Sequence, residues 1–293
     1  MKTPTMLSVV AAILLSGAGA WAAQVPLQQA TATFSQTEVT PQPVSDAIDG
    51  SVADGGWAIY PEITNQTAVF ETVHDIGFEA GTVLKFTLVQ TYAGAGHTLG
   101  RFRLSITTDD RSKFADGLAS GGDVGARWLV LNPQQMQSAN GTTLTELPDH
   151  SILASGASPD TDIYTISART TLTDITGIRL EALQHESLPS HGPGRHGTTL
   201  GSGNFVLTEL LLEAAPLPVV PSIPVHTRSS ETEICWRSQT NLTYQVDYRS
   251  KLTTKAWEPL FTNVVGTGEP ICVYDTIVRG EPKKSYRVIV SPQ

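Results

Sequence analysis

The chain has 293 residues, 16% of them charged, and a formal net charge of −9. This acidic balance argues against nucleic acid or anionic lipid as a partner, because those ligands need clustered Lys and Arg. The length exceeds what one small core usually requires, so two domains are expected.

The first 22 residues have the pattern of a cleaved signal peptide. Lys2 supplies a positive charge, residues 6–18 are apolar or small, and Ala20-Trp21-Ala22 fits the small-x-small cleavage rule. The apolar run is too short for a membrane span, so no membrane insertion is expected. The sequence predicts an exported product, and it leaves periplasmic and extracellular locations equally open.

Most of the next 190 or so residues predict β-strands separated by polar turns. Apolar residues alternate at period two in two clear runs, which are Leu84, Phe86 and Leu88, then Phe102, Leu104 and Ile106. Arg101 and Arg103 fall on the face opposite the second run. We expect a long surface loop over residues 110–125 and a short helix over residues 133–138. Many short strands with Gly, Asn and Asp turns indicate an all-β sandwich or jelly roll.

A proline-rich stretch marks the domain boundary. Residues 214–224 contain four prolines, which fix φ and remove amide donors, so an extended linker is expected. The predicted division is a domain over 28–214, a linker over 215–224 and a second domain over 225–293.

Two motifs in the first domain indicate a family. Ala47-Ile48-Asp49-Gly50 is followed by Trp57, and far downstream a strand over residues 203–210 contains Glu209. Together with the segments 97–105 and 192–195, this arrangement resembles the galactose-binding-like jelly-roll domains, in the form found in secreted planctomycete proteins. The resemblance covers about 28–214 and implies a jelly-roll β-sandwich. It implies much less about the ligand, because such folds have many binding partners.

The same resemblance implies a structural calcium ion where the Asp-Gly turn meets the glutamate of the last strand. Asp49 and Glu209 match those positions. Asp54 is added because a turn of Asp, Gly and Asp presents carboxylates and carbonyls toward one point, as calcium requires. The alternative is that Asp49 only caps its turn and Glu209 is solvated.

A sugar site needs an aromatic face and a few planar polar groups. Tyr60, His97 and Arg195 are predicted to supply them from loops. Trp57 belongs to the motif that defines the resemblance, and we expect it to lie in the core rather than to contact a ligand.

Several kinds of chemistry have no motif in this chain. A Gly-x-Ser-x-Gly elbow and a Cys-x-x-Cys-His haem motif are both missing, and neither haem nor a nucleotide is expected. His185, His191 and His196 lack the spacing of a metal site.

The favoured function is non-catalytic binding of a glycan or cell-surface polysaccharide. The alternatives are a structural or adhesive protein without a small ligand and an unrecognised hydrolase with a paired-carboxylate cleft. The oligomeric state stays open.

The C-terminal part has its own pattern of short strands. Ile234-Cys235-Trp236, the Tyr-rich run 244–250, Cys272-Val273-Tyr274 and Tyr286-Arg287-Val288 occur along residues 225–293. The pattern resembles a truncated fibronectin-III-like sandwich, which implies a spacer or adhesive role.

Both cysteines of the chain lie in this C-terminal part. If Ile234 and Trp236 point inward, strand alternation places Cys235 outward, and the same argument places Cys272 outward. On strands that are neighbours in a fibronectin-type sheet, the two form a cross-strand disulfide. The alternative is a pair of independent reduced thiols packed against the linker.

Overall fold

A computed structural model describes residues 23–53, 55–92, 96–198, 200–217, 225–227, 231–249, 256–276 and 284–292. The predicted signal peptide, Asp54 and residues 218–224 of the predicted linker lie outside these residues. The chain divides into two compact units, Ala22–Leu217 and a C-terminal unit that begins at Pro218. Over the described ranges, no helix is long and apolar enough to cross a membrane.

The N-terminal unit is built from short antiparallel strands. Their bounds are β1 (Ala23–Gln24), β2 (Leu27–Ala32), β3 (Trp57–Ala58), β4 (Gln66–Ile76), β5 (Thr82–Gln90), β6 (Arg101–Thr107), β7 (Leu129–Val130), β8 (Pro133–Ser138), β9 (Thr142–Glu146), β10 (Ile152–Gly156), β11 (Asp162–Thr170), β12 (Ile175–Ala182), β13 (Val206–Leu207) and β14 (Glu209–Pro216). Short 3₁₀ helices occupy Val44–Ile48, Arg111–Lys113 and Pro189–His191.

These strands form two large sheets and one small one. A five-stranded sheet has the order β1-β14-β5-β11-β8, and a seven-stranded sheet has the order β2-β4-β12-β6-β10-β9, with β7 paired to β6. The short strands β3 and β13 pair separately. The all-β jelly-roll sandwich predicted from the sequence is confirmed.

The core lies between the two large sheets. One cluster of buried apolar side chains joins Phe86 and Leu88 of β5 to Phe70 of β4 and Phe102 of β6. Each such side chain is removed from water almost completely, which stabilises the fold by about 1.5–3 kcal/mol apiece. The two alternating runs predicted from the sequence therefore both point into this core.

The structure differs from the sequence analysis at the domain edges and at one helix. Residues 133–138 form strand β8 and not a helix, because Gln135–Ser138 pair with Ser167–Tyr164 of β11. The last strand also continues to Pro216, which lies opposite Thr82, and the sheet begins with β1 at Ala23, before the predicted start at residue 28.

The long loop predicted between β6 and β7 covers part of a sheet. Phe114 and Ala115 are buried against Val69 on the outer face of the seven-stranded sheet, and the Trp128 ring meets Phe114 edge to face at 5.3 Å. A loop that is rich in Gly, Ser and Asp thus still contributes a small second apolar cluster.

The C-terminal unit contains two three-stranded antiparallel sheets. The strands are β15 (Val225–Thr227), β16 (Glu231–Arg237), β17 (Leu242–Arg249), β18 (Glu258–Val265), β19 (Pro270–Thr276) and β20 (Ser285–Pro292). The sheet orders are β15-β16-β19 and β18-β17-β20. Ile234 and Trp236 from one sheet and Tyr244 and Val246 from the other form its core.

The disulfide predicted between Cys235 and Cys272 is confirmed. The two residues lie directly opposite each other on β16 and β19, with their Cα atoms 4.1 Å apart. Their neighbours Ile234 and Trp236 are buried, as the alternation argument requires. Two reduced thiols packed against the linker are thereby ruled out.

Replacing both Cys235 and Cys272 by Ser is expected to lower the free energy of unfolding of the C-terminal unit. Opening a loop with a sequence separation of 37 restores denatured-state entropy, which corresponds to about 3–4 kcal/mol. Denaturant unfolding of the full chain measures the change. The N-terminal transition serves as the internal control, and a shift of that transition instead would contradict the prediction.

Candidate functional site

A short strand pair joins the two motifs that stand far apart in the sequence. Trp57 lies opposite Leu207, and Ala58 lies opposite Val206, so β3 and β13 pair antiparallel. The Trp57 side chain is fully buried, its Nε1 donates to the Phe34 carbonyl at 3.0 Å, and its ring meets Phe205 at 5.1 Å. The prediction that Trp57 is a core residue is confirmed.

Gly56 allows this approach of two backbone segments. Its φ is +151°, and a Cβ at this position would lie 2.3 Å from the Leu207 carbonyl oxygen. Both features exclude a side chain here. The residues that follow β3 and those that precede β13 are therefore held at one place on the sandwich.

An aromatic cluster lies beside this strand pair. The rings of His97 and His196 stack with their centroids 3.7 Å apart, and the Tyr92 ring meets His97 edge to face at 5.3 Å. Gly201 lies against Tyr60 and His196, since a Cβ there would be 3.6 and 3.7 Å from ring carbons of the two residues. His97 thus contacts both Tyr92 and His196, and Tyr60 lies on the other side of Gly201 from His196; we call these four residues together the aromatic cluster.

Backbone hydrogen bonds fix the segments that contribute to the aromatic cluster. The Val206 amide donates to the His97 carbonyl at 3.0 Å, and the Arg195 amide donates to the Thr98 carbonyl at 2.8 Å. The Asn204 side chain accepts from the Ile59 amide at 3.0 Å, which holds the residue next to Tyr60. The tyrosines at the two ends, Tyr60 and Tyr92, remain only partly buried.

Arg195 differs from the role that the sequence analysis gave it. Its side chain is only 8% exposed, and its guanidinium donates to Thr142 Oγ1 and to the Gly156 carbonyl, both at 3.1 Å. A guanidinium held in this way braces the loop after residue 194 against β9 and β10. This placement does not support Arg195 as a direct ligand contact, whereas Tyr60 and His97 stay predicted contacts.

Two members of the aromatic cluster, Tyr92 and His196, are not predicted from the sequence as sugar contacts. Tyr92 belongs to no motif, and the sequence groups His196 only with the other histidines that could bind a metal. The only signal for them is their position, Tyr92 directly after a strand and His196 next to Arg195. His185, one of the two other histidines of that group, is bonded through Nδ1 to Ser187 Oγ at 2.8 Å.

Asp49 and Glu209 meet at a separate place, at the start of β14. Glu209 Oε2 accepts from the Gly50 amide at 3.2 Å, and Asp49 Oδ1 accepts from the Ser51 amide at 2.7 Å. Glu209 is only 4% exposed, so it is not the solvated side chain of the alternative interpretation. Burial, together with the nearby negative charge of Asp49, raises the pKa of Glu209 to about 7, although the Gly50 hydrogen bond acts in the opposite direction.

The oxygen atoms around Asp49 and Glu209 are of the type that binds a calcium ion. A groove of about 420 Å³ runs between the Asp49 turn and β14 and is lined by Asp49, Gly50 and Glu209 with the apolar Ile48 and Leu210. Neither carboxylate has an Arg or Lys partner among the described residues. Calcium takes six to eight oxygens, and two carboxylates with turn carbonyls are donors of the right type. Asp54, the third predicted ligand, lies outside the described residues.

One group of three potential metal ligands occurs within the ranges that the structure describes. It consists of Glu233, Cys235 and Cys272, and its two cysteines are joined in the disulfide. Thiols that form a disulfide are not available as thiolate ligands, so this group does not indicate a metal site.

The outer face of the seven-stranded sheet contains a compensated ionic network. Arg103 binds Glu181 through two hydrogen bonds of 2.8 and 3.0 Å, and Arg101 donates to Asp149 at 2.7 Å. Although partial burial raises the pKa of Asp149, hydrogen bonds from Ser151 and Arg101 lower it to about 2. The charges of these arginines and carboxylates therefore compensate one another. Arg101 and Arg103 lie on the sheet face opposite the core, as predicted from the sequence.

Comparisons with known proteins give limited similarity. No protein-family model and no curated protein matches the chain. Among solved structures, CpGH89CBM32-5 from Clostridium perfringens, in complex with GalNAc-β-1,3-galactose, aligns with 14% identity over 65% of this chain and 99% of its own, with a TM-score of 0.38. The family 32 carbohydrate-binding module from C. perfringens NanJ, in complex with galactose, aligns with 11% identity over 66% and 98%, with a TM-score of 0.34.

An enzyme is also among the similar structures. The β-1,2-glucanase from Parabacteroides distasonis aligns with 10% identity over 90% of this chain and 36% of its own, with a TM-score of 0.17. None of the three structures is similar enough to assign this chain a family or a ligand.

The raised pKa of Glu209 predicts a pH dependence of stability. Because the folded-state pKa is about 7 and the ordinary value is 4.5, the stabilising contribution is complete below pH 4.5 and is lost as the pH rises through 7. In chelator, the free energy of unfolding of the N-terminal unit should therefore fall by on the order of 2–3 kcal/mol over this window relative to Glu209→Gln. Denaturant titrations of both proteins between pH 4 and 8 measure it, and parallel pH profiles would contradict it.

Proposed function

We propose that the N-terminal unit binds a glycan at the aromatic cluster without catalysing its hydrolysis. The observation that carries the proposal is the stack of His97 on His196, with Tyr92 at the edge of His97 and Tyr60 across Gly201 from His196. Tyr60, Tyr92 and His97 are partly exposed to solvent. Such rings offer an apolar face for the C–H groups of a sugar, and their hydroxyl and imidazole atoms offer hydrogen bonds to sugar hydroxyls.

The proposal gives this site a binding role because aromatic rings stack on the C–H faces of a sugar, whereas glycoside hydrolysis uses two carboxyl groups that flank the scissile bond. The expected affinity is that of a shallow, hydrated site, of the order of micromolar to millimolar. The Cys235–Cys272 disulfide supports action in an oxidising compartment, outside the cytoplasm.

A structural calcium ion at Asp49 and Glu209 is part of the same proposal. The support is a buried carboxylate whose pKa is raised and a second carboxylate nearby, neither of them ion-paired within the described residues. A bound cation would compensate both charges and tie the Asp49 turn to β14. Its role would be to hold the fold, because the aromatic cluster involves neither residue.

Chelation is expected to destabilise the N-terminal unit at neutral pH. A cation that binds only the folded state stabilises it by mass action, so EDTA should lower the melting temperature and added Ca²⁺ should restore it. Differential scanning calorimetry of the full chain measures the effect. Glu209→Gln and Asp49→Asn should each remove the response to EDTA, whereas Asp110→Asn, in an exposed turn, should keep it. An unchanged melting temperature with EDTA would exclude the ion.

Removing single rings from the aromatic cluster is expected to weaken glycan binding. A glycan array with the full chain identifies the ligand, and calorimetric titration of that ligand measures the affinity. Tyr60→Ala and His97→Ala should each weaken binding by at least about tenfold, or about 1.4 kcal/mol. The reason is that each substitution removes a ring that faces the sugar while the core, including Trp57, is unchanged.

Matched variants separate this effect from a general loss of structure. Tyr60→Phe keeps the ring and should keep most of the affinity, and His74→Ala removes an exposed histidine of β4 and should have no effect. Equal binding by Tyr60→Ala and the parent, or no ligand on the array, would favour the structural or adhesive alternative. Hydrolysis of the bound glycan that survives repurification would favour the hydrolase alternative.

A further inference from the structure

The outer face of the β18-β17-β20 sheet in the C-terminal unit presents a tryptophan between cationic neighbours. Tyr244 and Val246 of β17 point into the core, so strand alternation places Gln245, Asp247 and Arg249 on the opposite face. The Trp257 ring lies against this face. Its centroid is 4.4 Å from Arg249 Cζ and 4.6 Å from Arg287 Cζ, which are cation–π distances.

The two arginines differ in how their charge is compensated. Arg287 donates from Nε and Nη2 to Asp247 Oδ2, at 2.9 and 2.7 Å, and this carboxylate is only 3% exposed. Arg249 has no carboxylate partner among the described residues, and its Nε is buried without a hydrogen-bond partner. Within the described part of the chain, the Arg249 guanidinium therefore has no oppositely charged partner beside a partly buried tryptophan, in a chain whose net charge is −9.

This combination matches one kind of ligand. The two Nη groups of a guanidinium recognise a carboxylate through a planar pair of N–H donors, which does not require the buried Nε of Arg249. The edge of an indole ring offers an apolar surface next to them. A uronic acid residue has both complementary features, since its carboxylate is attached to a ring with C–H faces. We infer that the Arg249–Trp257 face of the C-terminal unit binds a carboxylated polysaccharide, independently of the aromatic cluster in the N-terminal unit.

Charge density distinguishes this ligand from other polyanions. Double-stranded DNA carries about one charge per 1.7 Å and is bound by many clustered Lys and Arg residues. Here one arginine is uncompensated within the described face, and the acidic chain as a whole repels dense polyanions. A polyuronate carries one carboxylate per sugar, which suits an isolated guanidinium next to an aromatic ring.

Affinity electrophoresis of the full chain through gels containing polygalacturonate tests the inference. Retention is expected on polygalacturonate and not on neutral dextran. Arg249→Gln should weaken retention at least about fivefold, because it removes a charge-assisted hydrogen bond, and Trp257→Ala should weaken it similarly. Arg237→Gln makes the same charge change at an exposed position of the other sheet and should retain the parent affinity. Equal retention of Arg249→Gln and Arg237→Gln would overturn the inference.

Further variants and polymers distinguish specific recognition from a folding defect and from binding by charge alone. Arg249→Lys keeps the charge but not the planar donor pair, so it should recover only part of the affinity while its melting temperature matches the parent. Tyr60→Ala should leave retention unchanged, which distinguishes this face from the proposed sugar site. Retention on polyglutamate or DNA equal to that on polygalacturonate would overturn the polysaccharide assignment, as would retention on dextran.

Discussion

The edge-to-face contact of Trp57 in β3 with Phe205, which directly precedes β13, is the constraint on which both candidate sites of the N-terminal unit depend. The contact joins two segments that are far apart in the chain. Tyr60 follows the first segment closely, and Glu209 begins the strand that follows the second. Because Gly56 has no side chain, the two segments approach each other closely, and this approach helps to set the positions of Tyr60 and Glu209.

Charged side chains of this protein fall into two groups, those that pair with an opposite charge within the fold and those that stay available to a ligand. Arg103 and Glu181 satisfy each other through two hydrogen bonds on a sheet face, so they add order to the surface but offer little to a partner. Glu209 and Arg249 differ from that pair because neither has an oppositely charged partner among the described residues. Glu209 is buried, and Arg249 is partly buried with its Nε atom inaccessible to water. Burial of an uncompensated charge is costly, and a bound ion or ligand reduces that cost.

Prediction from sequence succeeded where the physical signal is local and periodic. Alternation with period two placed Phe86 in the core, and the same rule placed Cys235 outward, where its partner lies directly across the sheet. It failed for residues 133–138, whose polar, Gln-rich sequence gave no strand pattern. There the backbone pairing with β11 supplies hydrogen bonds that no local propensity reveals, so tertiary context decided the structure.

The sequence by itself determined the all-β class and the core positions of the strands, because both follow from strand periodicity. It predicted the burial of Trp57 and the cysteine pairing only with the help of a family resemblance, and it left two reduced thiols open as the alternative. The tertiary structure alone decided which polar side chains are available to a ligand. Arg195 has the composition of a ligand contact, yet its guanidinium is used by Thr142 and Gly156 from distant strands. Tyr92 and His196 join a cluster through contacts between loops, and no sequence pattern encodes such contacts because they depend on the packing of the whole sandwich.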